Sequence, residues 1–406
     1  MTDTASPAGS RLKRESQIQQ AFSPHAPIDQ ASLFRGRIDQ VRATTDAISA
    51  QGLHVILYGE RGVGKTSLSR IIAELLSGAI LAASRVNCST DEGFSDVIRR
   101  SMAELHFTMT RPAVGFNSGS ASEPFSAADL LPPDGRISPD QAAQSLSRIP
   151  RFVVMVIDEF DRLQPTATAE FADFIKALSD RGASATVVLV GVAEDVNELI
   201  GNHASIQRCL RQVQLPRMRD DEILEIIDKG LDAAGFRVEG SARDHIVRIA
   251  QGFPQYGHLL GLNGARAALD STSDDVKDQH VIEGMKEAVQ HADQTHRESY
   301  YKAVTGTKKA NLWKEVVAAC ALADSDERGF FSSRAVLERL SDILGRPVIQ
   351  QTVAFHLGRL TEASRGPLLE RIGPERRYRY RFIDPLMRPF VLMKNTAEES
   401  PDGILD

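Results

Sequence analysis

Eight residues constrain this chain more than anything else in it: Gly59-Glu60-Arg61-Gly62-Val63-Gly64-Lys65-Thr66, the pattern G-x-x-x-x-G-K-[ST]. They join a β-branched, aromatic run at 54–58 (HVILY), suited to a buried parallel strand, to a stretch at 67–76 with apolar residues at helical spacing. Strand, glycine-rich turn and helix in that order form a phosphate cradle. The glycines let backbone N–H groups of residues 59–67, Ser67 included, approach a polyphosphate without an intervening Cβ. Lys65 supplies a cation to the outer phosphates. Thr66 offers a hydroxyl to Mg²⁺, and the helix that starts here directs the positive end of its dipole at the anion.

The rest of the composition sets bounds. The chain has 406 residues, of which 42% are hydrophobic and 25% charged, enough for two or three domains with ordinary cores. A formal net charge of −6 excludes a surface basic throughout and leaves room only for a local basic face. Cys88, Cys209 and Cys320 show no metal-ligand spacing and read as small buried hydrophobes. No apolar run reaches the ~18 residues of a membrane span and the N-terminus lacks a signal core, so the expectation is a cytoplasmic protein with no membrane partner.

Taken in order, residues 1–26 are poor in large apolar groups and read as a mobile tail or one frayed helix. Ile38, Val41 and Ile48 mark an amphipathic helix before the cradle. A strand at 84–88 and a helix at 93–105 follow, after which 107–139 is dense in Gly, Ser and Pro and reads as a flexible insertion. Residues 152–159, FVVMVIDE, are a wholly apolar run closed by two carboxylates, as in a strand buried on both faces. With the cradle about ninety residues upstream, Asp158 is placed to hold Mg²⁺ through water and Glu159 to orient and deprotonate the attacking water. A helix at 166–178, a buried strand at 185–191 and a further strand at 213–215 complete the alternation.

The succession FRGR, GERGVGKTS, VVMVIDE, VVLVGV, SIQR, QLPRM resembles the AAA+ ATPases with their Walker A and Walker B motifs. Within them it is most similar to the bacterial origin-recognition-complex-like group, close to the signal-transduction P-loop ATPases. That resemblance implies an α/β P-loop NTPase core with a parallel sheet at 27–216, an α-helical lid and connector at 217–300, a winged-helix domain at 305–395 and a tail at 396–406. It implies ATP and Mg²⁺ as cofactors, and adenine contacts from Pro27, Ile28 and Phe34, a role that competes with plain core packing. By position Arg208 resembles the arginine finger that reaches a neighbouring subunit's γ-phosphate, with Arg211 as the alternative, and a homo-oligomer in the ATP state follows. Pro254, in Gly252-Phe253-Pro254, opens the lid helix beside the nucleotide. Two departures point to slow turnover: Gln255 stands where many lids carry arginine, and the strand ending at Gly191 lacks a polar sensor. His258 reads as a residue of the lid's own core.

At the C-terminus, helices at 312–322, 332–344 and 348–362 precede two strands at 368–373 and 377–382. In a winged helix the third helix enters the major groove of double-stranded DNA, with Gln350, Gln351, Thr352, His356 and Arg359 at base edges or phosphates. Arg376, Arg377, Arg379 and Arg381 crowd the wing, and their alternation with Tyr and Phe puts cations on one face and aromatics on the other. The reading is an ATP-binding, slowly ATP-hydrolysing protein whose nucleotide state controls assembly and DNA binding. The alternative is a signal-transduction nucleotide switch, in defence or transcription, that uses the winged helix for protein contacts.

Overall fold

The computed structural model describes residues 7–24, 36–76, 81–112, 120–200, 204–305, 312–375 and 377–399. The chain divides into two compact units, one of Pro27–Glu60 and Gly64–Pro216, the other of Met1–Ala26, Arg61–Val63 and Arg217–Asp406.

The first unit is built on five strands: β1 (His54–Gly59), β2 (Leu81–Asn87), β3 (Phe152–Asp158), β4 (Ala185–Val192) and β5 (Leu210–Gln214). All pair in parallel, in the order β2-β3-β4-β1-β5. Both faces of the central strands are covered, which is why β3 and β4 are continuous Val, Ile and Leu runs rather than alternating ones. Helices Lys65–Leu76, Phe94–Ala103, Pro139–Ser147 and Pro165–Arg181 surround them. The third starts on a reciprocal cap, Ser138 Oγ accepting from Gln141 N–H (3.2 Å) and Gln141 Oε1 from Ser138 N–H (2.9 Å). Beneath the sheet Phe94, Phe160, Phe171 and Phe174 pack edge to face at 4.9–6.4 Å between centroids.

The stretch expected to be a flexible insertion is ordered at both ends. His106–Pro112 and Ser120–Ser126 form an antiparallel ribbon in which Phe107 faces Phe125, and Leu131 and Ile137 are buried. Composition misled because Gly, Ser and Pro dominate the count, while a few apolar residues at strand spacing suffice to anchor a two-stranded ribbon to the core.

In the second unit the N-terminal stretch, expected to be a mobile tail or frayed helix, is helix Pro7–Ala21, packed on helices Asp220–Ala233 and Pro254–Asp270. Ile18 and Phe22, four residues apart, are buried on one side of it. The Phe22 ring fills a slot left by Gly230 and Gly261, where an added Cβ would overlap it. Arg14 lies over the Phe236 ring at 4.4 Å, and Arg266 donates to Glu15 at 2.8 Å.

Helices Gly240–Ala250 and Asp278–Gln290 complete this helical bundle. Beyond helix Gln294–Val304 come helices Trp313–Leu322, Ser333–Leu344 and Gln350–Leu360 and an antiparallel sheet of Phe331–Ser332, Arg379–Phe382 and Leu369–Ile372, with Arg379–Phe382 central. The short strand Phe331–Ser332 was not legible as a strand. Helix Met387–Glu399 closes the chain, its buried Arg388 donating to the carbonyls of Ala321 (2.9 Å) and Ala323 (2.7 Å) at the end of helix Trp313–Leu322. Burial pulls the Arg388 guanidinium down to about 10. Among the described residues no helix is long and apolar enough to cross a membrane.

Candidate active site

The cradle forms because β1 ends at the carboxyl edge of the sheet and the chain must reverse into helix Lys65–Leu76. Gly59 (φ 151°), Gly62 (φ 85°) and Gly64 (φ 96°) all take positive φ, which frees the backbone N–H groups to point inward. Lys65 is buried, and its Nζ donates to the carbonyls of Gly59 (2.9 Å) and Glu60 (2.7 Å).

β4 separates β1 from β3, so the two functional strands lie roughly 10 Å apart across the sheet. The turn into the helix closes that distance, bringing Thr66 Oγ1 to 3.5 Å from Asp158 Oδ1. Asp158 is 2% exposed, and its Oδ1 also accepts the Glu159 N–H at 2.9 Å. A hydroxyl and a carboxylate are hard oxygen donors of the kind Mg²⁺ takes, so Thr66 and Asp158 fit the ion. No cluster of three His, Cys, Asp or Glu side chains suited to a metal occurs among the described residues. A metal here would therefore depend on the nucleotide's own phosphates for its remaining ligands.

Glu159 sits in the left-handed region (φ 57°, ψ 35°), a conformation that costs a non-glycine residue about 1–3 kcal/mol and persists only when its surroundings impose it. The fully buried Phe160 that follows, packed on Phe171 at 5.3 Å, imposes it. The Glu159 carboxylate stands half exposed, 3.2 Å from Arg162.

Two residues at this edge escaped the sequence reading. Asp161 Oδ1 accepts the Val192 N–H at 2.8 Å, so a carboxylate from the β3 loop stands at the end of β4, where the strand itself carries no polar sensor. The second is Arg85 of β2, whose guanidinium donates to Asp158 Oδ2 at 2.7 Å. The two-residue step from Glu159 to Asp161 was a faint signal for the first. Nothing in SRVN marked the second.

Other expected site residues lie elsewhere. Pro27, Ile28, Phe34 and Arg376 fall outside the described residues. Arg208 is a surface side chain, 74% exposed and 3.5 Å from Asp180, and Arg211 is exposed on β5. Pro254 belongs to the second unit, where it opens its helix after Gly252, whose positive φ (77°) and close approach to the Met218 carbonyl exclude a side chain. His258 is buried, with Nδ1 3.5 Å from the Ser23 N–H and its ring edge-on to Phe22, and burial lowers its pKa to about 4.

On the C-terminal helix Gln350–Leu360, Gln351 is exposed and Thr352 half buried, while Gln350 donates to Ser333 Oγ at 3.0 Å. His356 turns inward, its ring 4.4 Å from Trp313 and its Nδ1–H donating to the Thr352 carbonyl at 2.7 Å. Arg359 pairs with Glu362 at 2.6 Å. Along Arg379–Phe382 the side chains alternate in face: Tyr380 and Phe382 are buried and Arg379 is exposed, while Arg381, on the same face as Arg379, is largely covered, its guanidinium over the Phe330 ring at 4.5 Å. Both arginines meet carboxylates, Arg379 with Asp326 at 2.8 Å and Arg381 with Glu370, whereas Arg377 is exposed.

Known proteins agree with this architecture. No functionally curated protein matches the chain. Among solved structures it is similar to a Walker-type ATPase of Pyrococcus abyssi, at 14% identity over 91% of this chain and 99% of that one with a TM-score of 0.51. It is also similar to the ORC1 protein of Aeropyrum pernix solved in complex with DNA (15%, 95% and 96%, 0.49) and to Cdc6p of Pyrobaculum aerophilum (15%, 94% and 98%, 0.47). The fold is that of a P-loop NTPase. Residues 21–343 match the model of the family described as Novel STAND NTPase 1, nSTAND1, and the chain belongs to that family.

Proposed function

We propose that this protein binds and slowly hydrolyses ATP with Mg²⁺ in the cytoplasm, and that its nucleotide state governs homo-oligomer assembly and the engagement of double-stranded DNA by a C-terminal winged helix. The observation that carries the enzymatic part is the convergence of Thr66 and Asp158, 3.5 Å apart, on a turn whose three glycines all have positive φ. In this reading the turn's N–H groups hold the phosphates and Lys65 releases its carbonyl partners to meet the outer ones. Mg²⁺, when bound, would neutralise charge on the transferring phosphoryl oxygens. Glu159 takes the proton from the attacking water, its strained backbone fixing where the carboxylate stands. Arg208, exposed on its own subunit, is available to a neighbour's nucleotide.

A second reading has a specific observation behind it. On the C-terminal domain Ile349 and Phe355 are 65% and 58% exposed, and the arginines of strand Arg379–Phe382 are already held by carboxylates, features suited to a protein contact as much as to phosphate. There the same ATPase works as a switch for a protein partner.

The enzymatic reading is tested by a pair of variants. Lys65→Ala removes the motif's cation and should weaken nucleotide binding by at least ~100-fold in a titration. Glu159→Gln should bind as wild type and lose ~10²–10⁴ in turnover. Wild-type affinity in Lys65→Ala would place the nucleotide site elsewhere.

A further inference from the structure

Parallel register puts a cation beside Asp158 that no local pattern marks. Arg85 of β2 is paired with Val156 of β3, and Asp158 lies two residues beyond Val156, so the three side chains share one face of the sheet. Ser84 and Val86 take the opposite face, where the Ser84 hydroxyl meets Ser101 and Val86 joins the core cluster around Phe94. Arg85 therefore points along the sheet to the carboxyl edge. Its Nη2 reaches Asp158 Oδ2 at 2.7 Å, with side-chain exposures of 20% and 3% for the two partners. Its backbone N–H is held by Glu104 at 2.7 Å, and its buried Nε finds no hydrogen-bond partner among the described residues.

This arrangement leaves Asp158 little to offer a metal. Oδ1 faces Thr66 and the Glu159 N–H, and Oδ2 is taken by the guanidinium. Arginine cannot yield by deprotonation, so Arg85 stays a permanent positive charge on the carboxylate that would steady metal-bound water.

The geometry points to Arg85 as a positioning residue that competes with Mg²⁺ for Asp158, so that the site holds nucleotide with little dependence on magnesium. The inference rests on the nucleotide-binding reading above. Even at the dielectric of bulk water, ~80, a fixed unit charge within ~5 Å of a divalent ion changes its affinity by at least about tenfold. Arg85 thus stands in for part of the metal's charge when the ion is absent and opposes the ion when it arrives. Hydrolysis, which uses the metal, then requires the guanidinium to leave Oδ2.

The test is the affinity of full-length protein for a fluorescent ADP analogue, measured in EDTA and across a Mg²⁺ titration, for wild type, Arg85→Met and Arg85→Lys. Wild-type affinity should change less than about threefold between EDTA and saturating Mg²⁺. In Arg85→Met the metal-free affinity should fall, and half-saturating Mg²⁺ should drop at least about tenfold. Arg85→Lys keeps the charge and should stay near wild type. An unchanged magnesium midpoint in a folded Arg85→Met protein reduces Arg85 to a structural partner and overturns the proposal. If that variant does not fold, wild type decides alone: an ADP affinity more than about tenfold weaker in EDTA overturns it equally. Failure of wild type to bind ADP at any magnesium concentration would instead sink the nucleotide reading itself.

Discussion

The arginine–carboxylate pair on β2 and the one on strand Arg379–Phe382 have different physics. On β2 the pair Arg85–Asp158 is almost closed to solvent, at 20% and 3% exposure. On strand Arg379–Phe382 the pair Arg379–Asp326 stands at 45% and 36%. A buried pair is not necessarily stabilising compared with apolar residues of the same shape, but removing one partner leaves a charge with nothing to meet it. The exposed pair gains little, since water and salt screen both members whether they touch or not. The buried Arg85 is thus committed to its partner, and the exposed Arg379 is exchangeable. Exchangeability is what a phosphate-binding surface needs.

The largest effect that can break this contrast is on stability. Asp158→Ala strands the Arg85 guanidinium and should cost about 3 kcal/mol in denaturant unfolding, whereas Asp326→Asn, which keeps an oxygen to accept the Arg328 and Phe330 N–H groups and removes only the charge, should cost less than about 1 kcal/mol. Equal costs would mean that the β2 pair is as solvated as the Arg379–Asp326 pair and that Arg85 is not committed.

That contrast also explains what could be read from the chain. The cradle and the Asp158–Glu159 pair were legible because a glycine turn and an apolar strand ending in acids are local patterns. The alternating RYRYRF strand was legible for the same reason, since period-two alternation specifies faces without reference to the rest of the fold. Arg85 was not, because its importance comes from a register between strands some seventy residues apart, which no local pattern records. Asp161 escaped likewise, through its bond to Val192 on another strand. Helix Pro7–Ala21 was misjudged from composition: two apolar side chains are few for a helix but sufficient where glycines at 230 and 261 leave a slot for one of them. His356 faces inward because Trp313, on a separate helix, gives its ring a surface to pack on.

A second, smaller effect separates buried from exposed groups by pH. His54 at the start of β1 is fully buried, with Nδ1 accepting the Val187 N–H at 3.0 Å and Nε2 3.1 Å from Ser179 Oγ. Burial lowers its pKa from 6.5 to about 4. The folded state therefore favours the neutral ring and the unfolded chain binds the extra proton. Its contribution is complete above pH 6.5 and is lost as pH falls from there toward 4, by about 2 kcal/mol between pH 7 and pH 5. Urea unfolding at those two pH values checks this, with His54→Gln expected to remove the His54 part of the slope. A slope untouched by that substitution would mean that His54 titrates alike in both states.

The smallest effect is the one that decides what the C-terminal sheet does. Arg379 divides its guanidinium between Asp326 (2.8 Å) and the Phe330 carbonyl (2.8 Å), so a phosphate competes with the carboxylate for it. Because that pair is exposed, the exchange costs little. Arg379→Ala should therefore change stability by less than about 1 kcal/mol, and on a DNA-binding wing it should lower the slope of log affinity against log salt by about one. Asp326→Asn, which keeps the acceptor for the Arg328 and Phe330 N–H groups, should act in the opposite sense, releasing the arginine from the charge and tightening DNA binding a few-fold at low salt. The opposed signs matter because a merely structural pair would give two losses, or two nulls. If both variants leave the salt slope unchanged while DNA is bound, the contact lies elsewhere on the domain. If wild type shows no salt-dependent DNA binding at all, Arg379 belongs to a surface ion pair only, and the exposed Ile349 and Phe355 become the residues through which this domain meets a protein.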